Sequence, residues 1–161
     1  MSARRIELLL VDDHPITRHG IRMAIGTVDD IEVTGEAVGA IEAIHLVQEN
    51  RYDIALLDIQ MPDIDGLALL KLFRASHPHL PILMFSLYPE TTYGKWALKY
   101  GAAGYLTKYS SIDVLVSAIR TVAGGGKYFS AELMERFLSM TDLGAIEEVS
   151  RQGYMAPPDE S

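Results

Sequence analysis

Five polar residues stand at the ends of apolar runs of strand length, and their types point to metal and phosphate chemistry. They are Asp12, Asp13, Asp58, Ser86 and Lys108. Three carboxylates held close together repel one another unless a cation lies among them, and Mg²⁺ prefers such oxygen ligands. An ionised aspartate is also a competent nucleophile toward phosphorus, while an ammonium and a hydroxyl can contact phosphoryl oxygens. The set therefore predicts phosphoryl transfer to a carboxylate.

Residues 54–66, IALLDIQMPDIDG, place Asp58 where a buried strand must end. Pro62 follows closely and has no N–H with which to continue a strand ladder. In open α/β sheets, sites lie outside the carboxyl ends of the strands. Taken alone, Asp58 could equally be a residue that caps the following loop, because aspartate is common in turns. The other strand ends have to decide between these interpretations.

Five strand–helix pairs alternate along the chain. Strands are predicted at residues 6–11, 31–37, 54–58, 81–86 and 103–107, each followed by a helical pattern. Such alternation predicts a five-stranded parallel doubly wound α/β sheet, a flavodoxin-like (βα)5 fold with strand order 2-1-3-4-5. In this order, the carboxyl ends of strands 1, 3, 4 and 5 are neighbours. The polar residues at these ends should then converge, which favours Asp58 as a phosphoryl acceptor.

Apolar residues at helical spacing support these helices. The residues are Ile21, Ile25 and Val28; Ile41, Ile44 and Val47; Tyr93, Trp96, Ala97 and Tyr100; and Ile112, Leu115, Val116, Ile119 and Val122. The third helix is predicted at residues 66–76. Ser110 with Asp113 forms a capping-box pattern at the start of the fifth helix, which three consecutive glycines terminate.

Composition limits the class of protein. The 161 residues carry a formal net charge of −8, and 48% of them are hydrophobic. A sizeable core is therefore available, but contacts to nucleic acid need clustered lysine and arginine and are not expected from this chain itself. No apolar run approaches the roughly 20 residues of a membrane span. Together with the absence of cysteine, these features predict a cytoplasmic protein without membrane contact.

At residues 5–125 the chain resembles the response-regulator receiver domains of two-component signalling. The resemblance rests on Asp12-Asp13 after the first strand and on LLDIQMPDIDG around Asp58. Ser86 lies 28 residues beyond Asp58, and Lys108, which ends GYLTK, lies 22 residues beyond Ser86. Each motif is common by itself, but all five positions at these spacings make a strong signal.

The resemblance implies a role for each of these positions. Asp58 would accept a phosphoryl group from a sensor histidine kinase, and Ser86 and Lys108 would contact that group. Mg²⁺ would be held by Asp12, Asp13 and Asp58 and by the backbone carbonyl of Gln60, with Asp13 as the direct ligand and Asp12 acting through water. The protein would assist its own phosphorylation and dephosphorylation but would not be a turnover enzyme.

The resemblance also implies how the signal leaves the site. Tyr105 matches the family's switch aromatic, whose rotamer follows the movement of Ser86. Phosphorylation would change the surface of the fourth helix and fifth strand, which carries Trp96, Tyr100 and Tyr109. That surface would control a homodimer or another partner. A true Mg²⁺-dependent phosphatase or phosphotransferase that uses the aspartyl phosphate, and a stand-alone receiver acting through protein–protein interaction, are the alternatives.

Residues 86–108, SLYPETTYGKWALKYGAAGYLTK, resemble the NarL/FixJ-like subfamily. Receivers of this subfamily precede a LuxR-type helix-turn-helix and regulate transcription. Two residues depart from common receivers. Tyr109 stands where many have a proline after a cis peptide bond, and Leu87 is bulkier than the usual small residue and could narrow access to Asp58. His14 is interpreted as an ordinary loop histidine, because Mg²⁺ prefers oxygen ligands.

Two segments are predicted: a receiver at residues 1–126, and a linker helix with a flexible tail at residues 127–161. The helix is expected at residues 130–140, with Ser130 as its N-cap and Leu133, Phe137 and Met140 on one face. It could be a plain linker or could dock on a second chain. No stretch has the two helices and basic face of a helix-turn-helix. DNA would therefore be reached only through an effector domain outside this chain, unless the protein works without one.

Overall fold

A computed structural model describes residues 4–139, and it confirms the predicted fold class. Five parallel strands form one sheet in the order β2-β1-β3-β4-β5. The strands are β1 (Ile6–Val11), β2 (Ile31–Ala37), β3 (Ile54–Leu57), β4 (Ile82–Ser86) and β5 (Gly104–Thr107). The chain steps from β1 to β2 on one side and then returns to β3 on the other. This change of direction creates a crevice outside the carboxyl ends of β1 and β3.

Helices cover both faces of the sheet. They are α1 (Pro15–Ile25), α2 (Ala40–Glu49), α3 (Gly66–Ser76), α4 (Glu90–Lys99), α5 (Ile112–Ala123) and α6 (Ala131–Ser139). Successive strand residues point to opposite faces. Thus Leu8 and Leu10 pack in one core cluster with α1 and α5, whereas Leu9 and Val11 pack in another with α2, α3 and α4. Burial on both faces explains why the strands read as continuous apolar runs. None of the helices within residues 4–139 is long and apolar enough to cross a bilayer.

The structure refines several details of the predicted helices. Helix α1 ends at Ile25, so Val28 lies in the turn beyond it. The side chains of Ile41 and Ile112 are exposed, because each lies in the first turn of its helix and the later residues pack on the sheet. The N-cap of α5 is Ser111 rather than Ser110. Its backbone is extended, and its hydroxyl accepts a hydrogen bond of 3.3 Å from the N–H of Val114.

The segment after α5 continues along the sheet. Tyr128 bridges the outer edge of β5, where its N–H donates to the carbonyl of Ala103 at 2.8 Å and its carbonyl accepts from Tyr105 at 2.9 Å. Ser130 then caps α6, as predicted, because its hydroxyl accepts from the N–H of Leu133 at 3.1 Å. The expected contact of Met140 and the predicted flexible tail fall outside the described residues.

The start of α6 is tied to α4. The side chain of Glu90, in the first turn of α4, accepts hydrogen bonds from both the N–H and the hydroxyl of Ser130. Leu133 lies directly over Gly94, where a Cβ would stand 3.0 Å from a methyl carbon of Leu133. Glycine at this point of α4 therefore leaves room for α6 to pack closely.

Candidate functional site

The ends of four strands bring the predicted residues to one edge of the sheet. The N–H of Asp58 donates to the carbonyl of Val11 at 3.0 Å, which fixes Asp58 directly beside the end of β1. The N–H of Lys108 donates to the carbonyl of Ser86 at 2.8 Å, which holds the ends of β4 and β5 together. Backbone pairing thus determines where these side chains begin. The crevice at the β1/β3 switch point is the predicted location.

Lys108 reaches across the sheet to two buried carboxylates. Its Nζ lies 2.7 Å from Oδ2 of Asp12 and 3.2 Å from Oδ2 of Asp58. The three side chains are 7%, 1% and 3% exposed, respectively. Although the charges are in contact, neither Oδ2 atom receives a hydrogen bond of good geometry. One ammonium therefore serves two carboxylates, and the site keeps an excess of negative charge.

The surroundings of Asp58 disfavour its ionised form. Burial, followed by the negative charge of Asp12, raises the pKa of Asp58 from 3.8 to about 6. The positive charge of Lys108 and a backbone hydrogen bond from Gln60 lower the pKa but do not offset this rise. Additional positive charge at the site would favour the carboxylate form that can act as a nucleophile.

His14, interpreted from the sequence as an ordinary loop histidine, lies against the acidic cluster in the structure. Its Nδ1 lies 3.0 Å from Oδ1 of Asp12, 3.2 Å from Oδ1 of Asp13 and 3.8 Å from Oδ2 of Asp58. Its backbone N–H also donates to Oδ1 of Asp12 at 2.8 Å. One potential ligand atom from each of the four residues lies within 4.8 Å of the others. The adjacency of His14 to the acidic pair was the available signal.

The β3–α3 loop is folded back tightly behind Asp58. The N–H of Gly66 donates to the carbonyl of Ile59 at 2.6 Å, and a Cβ on Gly66 would overlap the backbone carbonyl of Asp58. Only glycine allows this approach. Asp65 then caps α3, because its carboxylate accepts from the N–H of Ala68 at 2.9 Å. The loop therefore holds the main chain around Gln60 close to the carboxylate of Asp58.

The same loop caps a different helix. Helix α2 begins after Gly39, which has no side chain to cap it, and Asp63 takes this role from across the loop. The carboxylate of Asp63 accepts from the N–H groups of Ala40 at 3.1 Å and Ile41 at 3.0 Å. These bonds, together with one from Ile64, hold the pKa of Asp63 below its ordinary value. Asp63 thus links the loop after Asp58 to the N-terminus of α2.

Replacing Asp63 by alanine is expected to lower the free energy of unfolding by about 1 kcal/mol, which is typical of the loss of a helix N-cap. Urea denaturation at neutral pH measures this loss. Asp113→Ala, in the first turn of α5, is the matched control and should cost clearly less. Because the pKa of Asp63 is lowered, its contribution should be present above the ordinary aspartate pKa and disappear as the pH falls further. Equal losses in the two variants would contradict the capping role.

The predicted switch residues are connected through one backbone segment. Tyr105 is buried, and its hydroxyl donates to the carbonyl of Tyr88 at 2.7 Å. The hydroxyl of Ser86 accepts from the N–H of Tyr88 at 3.1 Å. Burial raises the pKa of Tyr105 to about 12, although its interaction with the hydroxyl of Ser86 lowers this pKa. A displacement of Ser86 would therefore act directly on the segment that holds Tyr105.

The surface around the site differs from the predicted one in part. Trp96 is largely buried in the core, whereas Tyr109 is 81% exposed. Leu87 is about half exposed. Within residues 4–139 every peptide bond is trans, including that between Lys108 and Tyr109.

Comparison with known proteins identifies the family of this arrangement. A family model described as "Response regulator receiver domain" matches residues 8–120. The transcriptional regulatory protein MctR of Rhizobium johnstonii is 37% identical over 134 residues, which cover 83% of this chain and 63% of MctR. The response regulator UvrY of Escherichia coli is 34% identical over 131 residues, which cover 81% of this chain and 60% of UvrY. The chain thus spans less than two thirds of the length of these relatives.

Solved structures share the fold. The crystal structure of a LuxR-family two-component response regulator from Aurantimonas sp. matches with a TM-score of 0.76 and 31% identity. The match covers 85% of this chain and 98% of the Aurantimonas chain. The receiver domain of the putative response regulator NarL from Mycobacterium tuberculosis matches with a TM-score of 0.72 and 32% identity. The match covers 76% of this chain and 99% of the NarL chain. The chain therefore belongs to the response regulator receiver domain family, among relatives of the NarL/LuxR type.

Proposed function

We propose that this chain is a phosphorylation switch in which Asp58 accepts a phosphoryl group from a sensor histidine kinase. The observation that carries the proposal is the position of Asp58, which is buried at the end of β3 with Lys108 Nζ 3.2 Å away. Receiver domains are signalling proteins rather than turnover enzymes, which agrees with a single acceptor carboxylate. Membership of the family supports the choice of phosphodonor.

The acidic cluster fits a divalent cation. Its potential ligand atoms include carboxylate oxygens of Asp12, Asp13 and Asp58 that are buried without a good hydrogen bond. We propose that these residues and the backbone carbonyl of Gln60 hold Mg²⁺, with Asp13 and Asp58 as direct ligands. Mg²⁺ binding is a general property of the family. When bound, the ion would supply positive charge opposite the phosphoryl oxygens.

Three side chains of the protein carry out the phosphoryl transfer: those of Asp58, Lys108 and Ser86. A carboxylate oxygen of Asp58 forms a bond to phosphorus while the bond between phosphorus and the donor nitrogen breaks, and the donor keeps that electron pair. The ammonium of Lys108 and the hydroxyl of Ser86 hydrogen-bond to phosphoryl oxygens. Since the Nζ of Lys108 already contacts the carboxylate of Asp58, it can stabilise the negative charge of the phosphoryl oxygens once Asp58 is bonded to phosphorus.

The output is proposed to run through Ser86 and Tyr105. An inward movement of Ser86 would disturb the bonds that hold Tyr88 and Tyr105, and it would change the surface of α4 and β5. That change would control a homodimer or an effector, with transcription regulated through a helix-turn-helix domain outside this chain. We place the protein in the cytoplasm, with a receiver at residues 1–126 and a linker from residue 127.

Intact-mass measurement after incubation with acetyl phosphate and Mg²⁺ tests this proposal. The wild type is expected to gain one phosphoryl group, and Asp58→Asn is expected to gain none, because its amide cannot form the acyl phosphate. Asp113→Asn, on the surface of α5, is the control and should behave as the wild type. An adduct on both the wild type and Asp58→Asn, or on neither, would refute the assignment. Multiple turnovers of a phosphomonoester would favour a phosphatase instead.

A further inference from the structure

The imidazole of His14 lies among the acidic residues proposed to bind metal. Its Nδ1 faces one oxygen from each of three carboxylates, those of Asp12, Asp13 and Asp58. The side chain remains 53% exposed, so it stands between the buried carboxylates and solvent. Asp12 and Asp58 are almost fully buried, and their Oδ2 atoms face Lys108 without a hydrogen bond of good geometry. The buried Oδ1 atom of Asp13, which faces His14, also lacks such a bond. The cluster therefore has buried, under-satisfied oxygens and one nitrogen at its open side.

The distance between His14 and Asp13 is close to that of two ligands that share an ion. Metal–ligand bonds of about 2.1 Å at right angles place neighbouring ligand atoms about 3.0 Å apart. The nitrogen of His14 lies 3.2 Å from an oxygen of Asp13 and 3.8 Å from an oxygen of Asp58, the two residues proposed as direct ligands. The same nitrogen also lies at hydrogen-bond distance, 3.0 Å, from Oδ1 of Asp12. The ring can therefore contribute without a large movement of the loop between β1 and α1.

We propose that His14 supplies an imidazole nitrogen to this site and that the site consequently favours Mn²⁺ and later first-row transition ions over Mg²⁺. Imidazole suits transition ions, whereas Mg²⁺ prefers oxygen ligands and retains water. The carboxylates of Asp12, Asp13 and Asp58 make the site suitable for either kind of ion. His14 is then the residue that determines which ion is preferred.

This inference rests on the proposed metal site, but it assigns a separate property to a separate residue. Loss of a carboxylate should abolish the binding of every divalent ion. Loss of the imidazole should leave Mg²⁺ binding nearly unchanged and weaken only the binding of transition ions. The two contributions can therefore be measured independently in the full chain without any phosphorylation assay.

The test compares Mn²⁺ and Mg²⁺ binding in the wild type, His14→Phe, His14→Gln, His19→Phe and Asp13→Asn. Electron paramagnetic resonance of free Mn²⁺ gives its dissociation constant, and competition gives that of Mg²⁺. The preference for Mn²⁺ over Mg²⁺ is expected to fall about tenfold in both His14 variants. His19, exposed on α1, is the matched control, and its variant should keep the wild-type preference.

Pulsed electron paramagnetic resonance of bound Mn²⁺ provides a readout that a purely structural role would not change. Coupling to a directly coordinated imidazole ¹⁴N is expected in the wild type and His19→Phe, and it should be absent in both His14 variants. Equal ion preference in the wild type and the His14 variants, without this coupling in any of them, would overturn the role of His14 while leaving the acidic site intact. Failure of the wild type to bind either ion would overturn both proposals.

Discussion

Replacing Lys108 by methionine is expected to lower the free energy of unfolding by about 3–5 kcal/mol at neutral pH in the absence of metal. The Nζ of Lys108 contacts the buried carboxylates of both Asp12 and Asp58. Without it, two carboxyl groups would remain close together, shielded from water and without a buried cation, so that one of them must take up a proton or stay charged at a cost. Methionine fills a similar volume, so the measured loss reports mainly the missing charge. Urea denaturation with a chelator present measures the change.

A double-mutant cycle separates this charge effect from packing. Asp58→Asn removes one of the two carboxylates, so Lys108→Met should cost clearly less in that background. Lys127→Met, at an exposed lysine beyond α5, is the matched control and should change stability little. A loss below about 1 kcal/mol for Lys108→Met would place this ion pair in the range of surface pairs, contrary to its burial.

Replacing Asp58 by asparagine is expected to stabilise the metal-free protein above pH 6. The pKa of Asp58 is raised from 3.8 to about 6, so the folded protein binds this proton more tightly than the unfolded chain does. The stability associated with the proton is fully present below pH 3.8 and is lost as the pH rises through about 6. At neutral pH the ionised carboxylate should cost about 3 kcal/mol, and the asparagine variant avoids this cost.

Urea denaturation of both proteins between pH 4 and pH 8, with a chelator present, measures this effect. Asp12, Asp13, His14 and Lys108 surround Asp58 in both proteins, so the difference between the two curves reports chiefly Asp58. That difference should grow through the pH window between 3.8 and about 6 and then become constant. A constant difference across the whole range would contradict the raised pKa.

The strands and the convergence of the site were predictable from sequence for a simple reason. Each strand is buried on both faces, so it reads as an apolar run that stops at one polar residue. Parallel order then forces those polar ends together, and Asp58, Ser86 and Lys108 occupy neighbouring strand ends in the structure. Their chemical roles stay predictions, because backbone topology determines position and not reactivity.

Other features depended on information that sequence patterns do not carry. Two adjacent serines precede α5, and only the backbone conformation shows that Ser111 rather than Ser110 caps it. Asp63 lies 23 residues from Ala40, so its capping of α2 is a tertiary contact without a local signal. The contacts of His14 with three carboxylates likewise have no periodic signal in the sequence. The direction of its ring depends on the turn between β1 and α1, which no periodicity specifies.

The bridge between Tyr128 and β5 has a consequence for how the domain avoids unwanted association. A strand at the rim of a sheet offers free N–H and carbonyl groups that can template pairing with another chain. On the β5 side, this chain's own backbone takes up part of that hydrogen-bonding capacity through Ala103 and Tyr105. The segment after α5 thereby shields the β5 edge of the sheet against intermolecular strand addition. Along this edge, a second copy would therefore meet fewer unpaired backbone groups than a bare edge strand offers.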